Sequence, residues 1–264
     1  MNTRVAIIGA SAGALCAILL TTGLPSFGGF DFNNCSSTAT TPAVSRELSW
    51  SGGDAVYIHL PANVHFKSGP LWHAAAHGPA EVIEHVRLDN GRLEFDQSMH
   101  WCNVDVSVEL TGPAVRHWTL AGSGDVQLEQ LSQPDIEITV SGSGSLTASG
   151  KVERTQASIR GSGDVNLDGL AQTDLDLSIQ GSGSASALGN AEHARVSVAG
   201  SGDAHLGKLN VKSADVVIKG SGDVEVAPEE IATIQINGSG DVHLTKQPKS
   251  VQSHVHGSGS VVTG

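Results

Sequence analysis

The sequence predicts an all-β protein: a single-stranded parallel β-helix with about 19–20 residues per coil, preceded by an amino-terminal apolar helix. Three observations carry this. The tripeptide Gly-Ser-Gly occurs eight times at spacings of 18 to 20 residues. The residues on either side of it alternate between apolar and polar with a period of two, as a strand with one buried face requires. No Phe, Trp or Tyr follows Trp118, so the core of the repeat is built from small aliphatic side chains. Helical repeats are excluded, because no 19-residue unit carries an i, i+3, i+4 apolar pattern.

In chain order, the first element is residues 1–24, with the uncharged run 5–24 preceded by Arg4. Twenty such residues match a bilayer-spanning helix or a long secretory signal, and both stay open. A buried core helix is the third alternative, but nothing downstream offers it a helical layer. Arg4 keeps the start of the chain in the cytoplasm and sends the remainder outward. The rest of the chain is therefore expected outside, periplasmic or at the cell surface, with the membrane touched only through this segment. In an oxidising compartment leftover cysteines commonly pair. Cys35 and Cys102 are the candidates for one disulfide, with two independent small side chains as the alternative. Residues 25–43 are rich in Gly, Ser, Thr and Asn and read as a flexible linker.

Residues 44–119 are strand-rich but lack the tripeptide. Ala55-Val56-Tyr57-Ile58 and Val104-Asp105-Val106-Ser107-Val108 alternate, and Asn90-Gly91 between two short apolar runs is a strong hairpin signal. All four tryptophans and the only tyrosine lie here. The region is expected to cap the solenoid or to form its first, irregular coils, because a bare terminal coil exposes core and unpaired edges.

Residues 120–264 form the repeat. Its turn glycines are Gly122, Gly124, Gly142, Gly144, Gly161, Gly163, Gly181, Gly183, Gly200, Gly202, Gly220, Gly222, Gly238, Gly240, Gly257 and Gly259. Each coil is expected to hold two strands and two turns, with Gly-Ser-Gly supplying backbone angles that a Cβ disfavours. Stacked coils pair each strand with its equivalent one coil along, about 4.8 Å away. The eight coils bury together what one cannot bury alone. The rule for parallel crossovers gives a right-handed coil, although a period near 18 also suits left-handed ones. Asp or Ser follows every tripeptide. Asp203, Asp223 and Asp241 stack in consecutive coils, so calcium is a candidate ligand. Against it stand the nine-residue period of known calcium solenoids and the fitness of Asp for turns.

These repeats, behind an exported amino terminus, resemble the bacterial head GIN domain family of auto-transporter adhesins. The resemblance runs from Val44 to Gly264. It is most telling at Ile236-Asn237-Gly238-Ser239-Gly240-Asp241-Val242-His243-Leu244, Pro248-Lys249-Ser250-Val251 and Gly257-Ser258-Gly259-Ser260. It implies an exported β-solenoid with an adhesive role and brings no catalytic or cofactor-binding residues. The chain ends without the aromatic-girdled membrane barrel of true auto-transporters.

Composition narrows the function. A net charge of −12 gives none of the basic field that nucleic-acid binding needs. Polysaccharide lyases and hydrolases need paired carboxylates or basic groups in a groove, commonly with aromatic walls. The repeat has no aromatics, and no nucleophile motif, phosphate loop or HExxH occurs. No catalytic residue, cofactor or established metal site is therefore expected. The reading is a non-enzymatic envelope or cell-surface interaction module. Flat ladders such as Gln127, Thr147, Asn166, Ser186, His205, Glu225 and His243 would face a repetitive partner, an envelope glycan or protein surface. The alternative is a structural protein that self-associates through its last coil, at Val255 and Val261–Val262; a lyase or hydrolase stands third. The twelve histidines read as surface residues.

Overall fold

The computed structural model describes residues 41–96 and 105–264. The amino-terminal helix, most of the linker, Cys35 and Cys102 lie outside the described residues. Among the described residues no helix is long and apolar enough to cross a membrane.

The fold is all-β, a solenoid of about seven turns. Eight tripeptides bound seven intervals, so the expected eight coils become seven. The first part holds β1 (Ala43–Glu47), β2 (Ala55–Ile58), β3 (Asn63–Ser68) and β4 (His73–Pro79). A single helical turn α1 (Ala80–Ile83) leads to β5 (Val86–Asp89), β6 (Arg92–Phe95), β7 (Ser107–Gly112) and β8 (His117–Gly122). The repeat contributes β9 (Asp125–Gly142), β10 (Ser145–Gly161), β11 (Asp164–Ala171), β12 (Asp174–Gly181), β13 (Ser184–Gly200) and β14 (Asp203–Gly220). It closes with β15 (Val224–Gly238), β16 (Val242–Leu244), β17 (Ser250–Gly257) and β18 (Val261–Thr263).

The amino-terminal region is both cap and first coils. β1 and β4 run antiparallel, as do β4 and β7, which closes the end of the stack with a flap. β2 pairs in parallel with β8, and β3 with β7 and β9, so the chain has already entered the coil register there. β5 and β6 form the expected hairpin, with Asn90 at φ 49° and Gly91 at φ 75°, the left-handed pair of a type I′ turn. The aromatics plug this end. Phe66 and Trp118 are fully buried with ring centroids 4.9 Å apart. The Trp72 ring lies between Gly52 and Gly112, where a Cβ would come within 2.1 Å of it on either side.

From β8 onward every coil pairs in parallel with its successor, Gly on Gly at each corner. The predicted inward columns are the core. Trp118, Ile138, Ala157, Leu177, Val196, Val216 and Ile234 are at most 1% exposed. The columns headed by Leu120, Val126 and Leu128 are buried likewise up to the last coil.

The count of two turns per coil is corrected. In β9 the buried residues are Val126 and Leu128, then Leu131 and Gln133, then Ile136, Ile138 and Val140. The steps from 128 to 131 and from 133 to 136 are three residues, so inward parity resets twice. Each coil has three corners, two of them bends within a strand whose ladder continues past them. At the first bend Gln130, Gly150 and Gly189 adopt positive φ.

The tripeptide corner also divides its labour differently from expectation. Only the first glycine has a left-handed backbone, as at Gly200 with φ 132°. The second is held by close approach: a Cβ on Gly202 would lie 2.3 Å from the Gly183 carbonyl oxygen and 2.7 Å from Ile179 Cγ2.

Candidate functional site

The third face of the coil, between the second bend and the tripeptide, carries a concavity. Two outward columns two residues apart run along the rod. One is Asp135, Arg154, Asp174, His193 and Ser213; the other is His117, Glu137, Gln156, Asp176, Arg195 and Asp215. Side chains on consecutive outward positions leave a trough between them. Its volume is about 630 Å³, and its floor is the strand at Ile136, Thr155, Leu175 and Ala194.

The charges within it are interleaved. Arg154 stands between Asp135 and Asp174 in its column, and Arg195 between Asp176 and Asp215. Arg116 Nη2 lies 2.7 Å from Asp135 Oδ1, and His117 Nδ1 2.9 Å from Glu137 Oε2. Arg195 reaches Asp176 at 3.9 Å. These exposed pairs contribute little to stability. Their effect is to hold donors and acceptors at one-coil intervals along a straight line, which suits an extended, hydroxyl-rich chain lying parallel to the rod. The polar ladder expected from the sequence lies on another face. The trough residues are visible in the sequence as polar positions before each tripeptide. What was missing was the second bend, which sets the third face apart.

The predicted ladder on the first face exists. Gln127, Thr147, Asn166, Ser186, His205, Glu225 and His243 are consecutive register partners. Parts of it line two smaller concavities, one of about 410 Å³ at Gln127 and one of about 420 Å³ at Ser186, His205 and Glu225.

The Asp column has a defined occupation. Asp203 Oδ1 accepts the backbone N–H of Asp223 at 2.9 Å, Asp223 Oδ1 that of Asp241 at 2.8 Å, and Asp241 Oδ1 that of Ser260 at 2.7 Å. Asp125 and Asp164 do the same for Ser145 and Ser184. Each carboxylate therefore serves the corner of the next coil. Where Ser precedes, the next N–H turns to a glycine carbonyl instead, as Asp164 does to Gly144 at 3.2 Å. Among the described residues no group of three or more His, Cys, Asp or Glu is arranged to hold a metal ion.

Near the carboxyl-terminal end, Lys212 Nζ lies 2.6 Å from Glu192 Oε1 and Lys249 Nζ 2.9 Å from Glu230 Oε1. The first bond holds the Glu192 carboxyl below and the Lys212 ammonium above their ordinary values; the second holds Glu230 below its own.

With this geometry in place, comparison with known proteins is informative. The family model described as "Putative auto-transporter adhesin, head GIN domain" matches residues 54–173 and again 155–248. The two matches overlap because the chain is a repeat. No curated protein matches the chain. Solved structures do. One, described as a "putative lipid binding protein" from Parabacteroides distasonis, is 20% identical with a TM-score of 0.75. Another, a "putative adhesin" from Parabacteroides merdae, is 16% identical with a TM-score of 0.78. A third, a "putative adhesin" from Parabacteroides distasonis, is 18% identical with a TM-score of 0.71. Each comparison covers 86% of this chain and 98% of the other. At these identities the likeness establishes the fold.

Proposed function

The chain belongs to the head GIN domain family, and from that premise we propose that it is a non-enzymatic, exported adhesin-like module that holds an envelope glycan lengthwise in the third-face trough. The observation that carries this reading is the trough itself, lined by two rows of polar side chains, most of them charged, with one position of each row per coil. A coil rise of about 4.8 Å is close to the length of one saccharide unit, so each successive sugar meets its own pair of polar side chains. Paired carboxylates and guanidinium groups offer hydroxyls both acceptors and donors. Without aromatic platforms each sugar is held weakly, and affinity accumulates through repetition. The test is co-sedimentation of the full chain with purified, insoluble envelope glycan. Retention that is lost in Arg154→Ala/Arg195→Ala supports the reading; no retention, or retention indifferent to those changes, overturns it.

The last coil favours a second reading, end-to-end association of two copies. Val251 is 44% and Val255 38% exposed although both stand in inward columns. Val262, by contrast, continues the outward ladder beyond His243. The charge that tests association therefore belongs at Val255. Concentration-dependent sedimentation abolished by Val255→Lys favours this reading; a monomer at all concentrations removes it.

A further inference from the structure

We propose that His254 and His256 form a two-imidazole clip for a transition-metal ion of the copper(II) or nickel(II) class. Both lie on β17 two residues apart, so the pleat puts them on one outward face. Their Nε2 atoms are 3.1 Å apart, with the rings edge to face and their centroids separated by 4.5 Å. Both side chains are exposed. They differ from other paired histidines in facing each other rather than an acid. His65, His73, His77, His117 and His243 each face a carboxylate, which serves an imidazole as an electrostatic partner.

Two neutral imidazoles in contact satisfy each other with one N–H donated to one lone pair. A metal ion uses both lone pairs. With metal–nitrogen bonds of about 2.0–2.1 Å, a 3.1 Å separation closes an N–metal–N angle of about 95–102°. That is near the cis angle of tetragonal nitrogen sites, which copper(II) and nickel(II) favour, and narrower than the tetrahedral angle zinc prefers. The coil above sets Gln235 and Asn237 in register with His254 and His256. These neighbours are uncharged and put no cation beside the site. The chain thus supplies two ligands, and water or other donors fill the remaining positions. Such a site is labile and suited to capturing an ion at the surface rather than burying one.

The inference is independent of the trough. It is tested by titrating the full chain with copper(II) alone, following heat and the electron paramagnetic resonance spectrum. The expected result is a site with a two-nitrogen signature. His254→Asn or His256→Asn will remove that signature and weaken binding by at least about tenfold, while His59→Asn leaves it unchanged. Each variant is first shown to keep the parent's melting temperature and circular dichroism. Folded His254→Asn and His256→Asn proteins that bind copper(II) as the parent does, with the same spectrum, would overturn the assignment.

Discussion

At Gly142 the backbone has φ 141°, and a Cβ would lie 2.3 Å from the Gly122 carbonyl oxygen; at Gly122 the φ is 157° and the nearest atom is 3.9 Å away. The two glycines hold the same place in the repeat, but only one has a repeat corner stacked beneath it. Gly142→Ala will therefore cost more than Gly122→Ala, by about 1–3 kcal/mol, read as the difference in denaturant-unfolding free energy. Gly202→Val will lose about 2 kcal/mol or more through its clash with Gly183 and Ile179. Gly259→Val will lose less, because a terminal coil yields on its open side. Asp203→Ser will change stability by less than about 0.5 kcal/mol, with or without calcium, because the freed N–H of Asp223 can turn to a glycine carbonyl as those after Ser do. A sharp, calcium-dependent fall in melting temperature would assign the column to calcium instead. At this scale the repeat was legible because each corner residue recurs eight times. Recurrence did not reveal that the first glycine needs both its φ and its missing Cβ while the second needs only the latter, since either demand erases every other residue from the column.

The strand ladder explains what the pattern showed and what it concealed. Inward columns were readable because burial imposes a strict period of two along a flat strand. The two bends within each coil were not, because the parity reset is only one residue and carries no constant residue type: Gln130, Gly150 and Gly189 share one bend. Missing the bends concealed the trough they create. They also explain a buried amide. Gln172 is 6% exposed, and neither its Nε2 nor its Oε1 has a hydrogen-bond partner. Gln172→Leu removes that unsatisfied group while keeping its volume, and will raise stability by about 1 kcal/mol, measured by thermal unfolding. A loss of stability would mean that the amide has a partner in solution. Along the coil edge, the Lys212–Glu192 pair gives a signed pH response. The lowered Glu192 carboxyl adds stability above the ordinary carboxylate range and loses it as pH falls through its folded-state value. The raised Lys212 ammonium adds stability below the ordinary ammonium range and loses it as pH rises through its own. The melting-temperature gap between the parent and Lys212→Met will be widest near neutrality, small throughout because the pair is exposed, and closed by acid or high salt.

At the largest scale, the described solenoid is a rod whose outward positions recur once per coil. The aromatic-filled flap closes its first end, and a last coil with exposed Val251 and Val255 stands at the other. The family and the solenoid were both visible in the eight tripeptides. The position of the binding face was not, since it depends on how three faces are set around one core. In the proposed function the partner lies along the rod, one unit per coil. The most direct test is the affinity of the full chain for a length series of one envelope-type oligosaccharide. The row from His117 to Asp215 offers six successive positions. Affinity is predicted to rise with each added sugar up to about six units and then to level off. Equal affinity for the shortest and the longest members would contradict it.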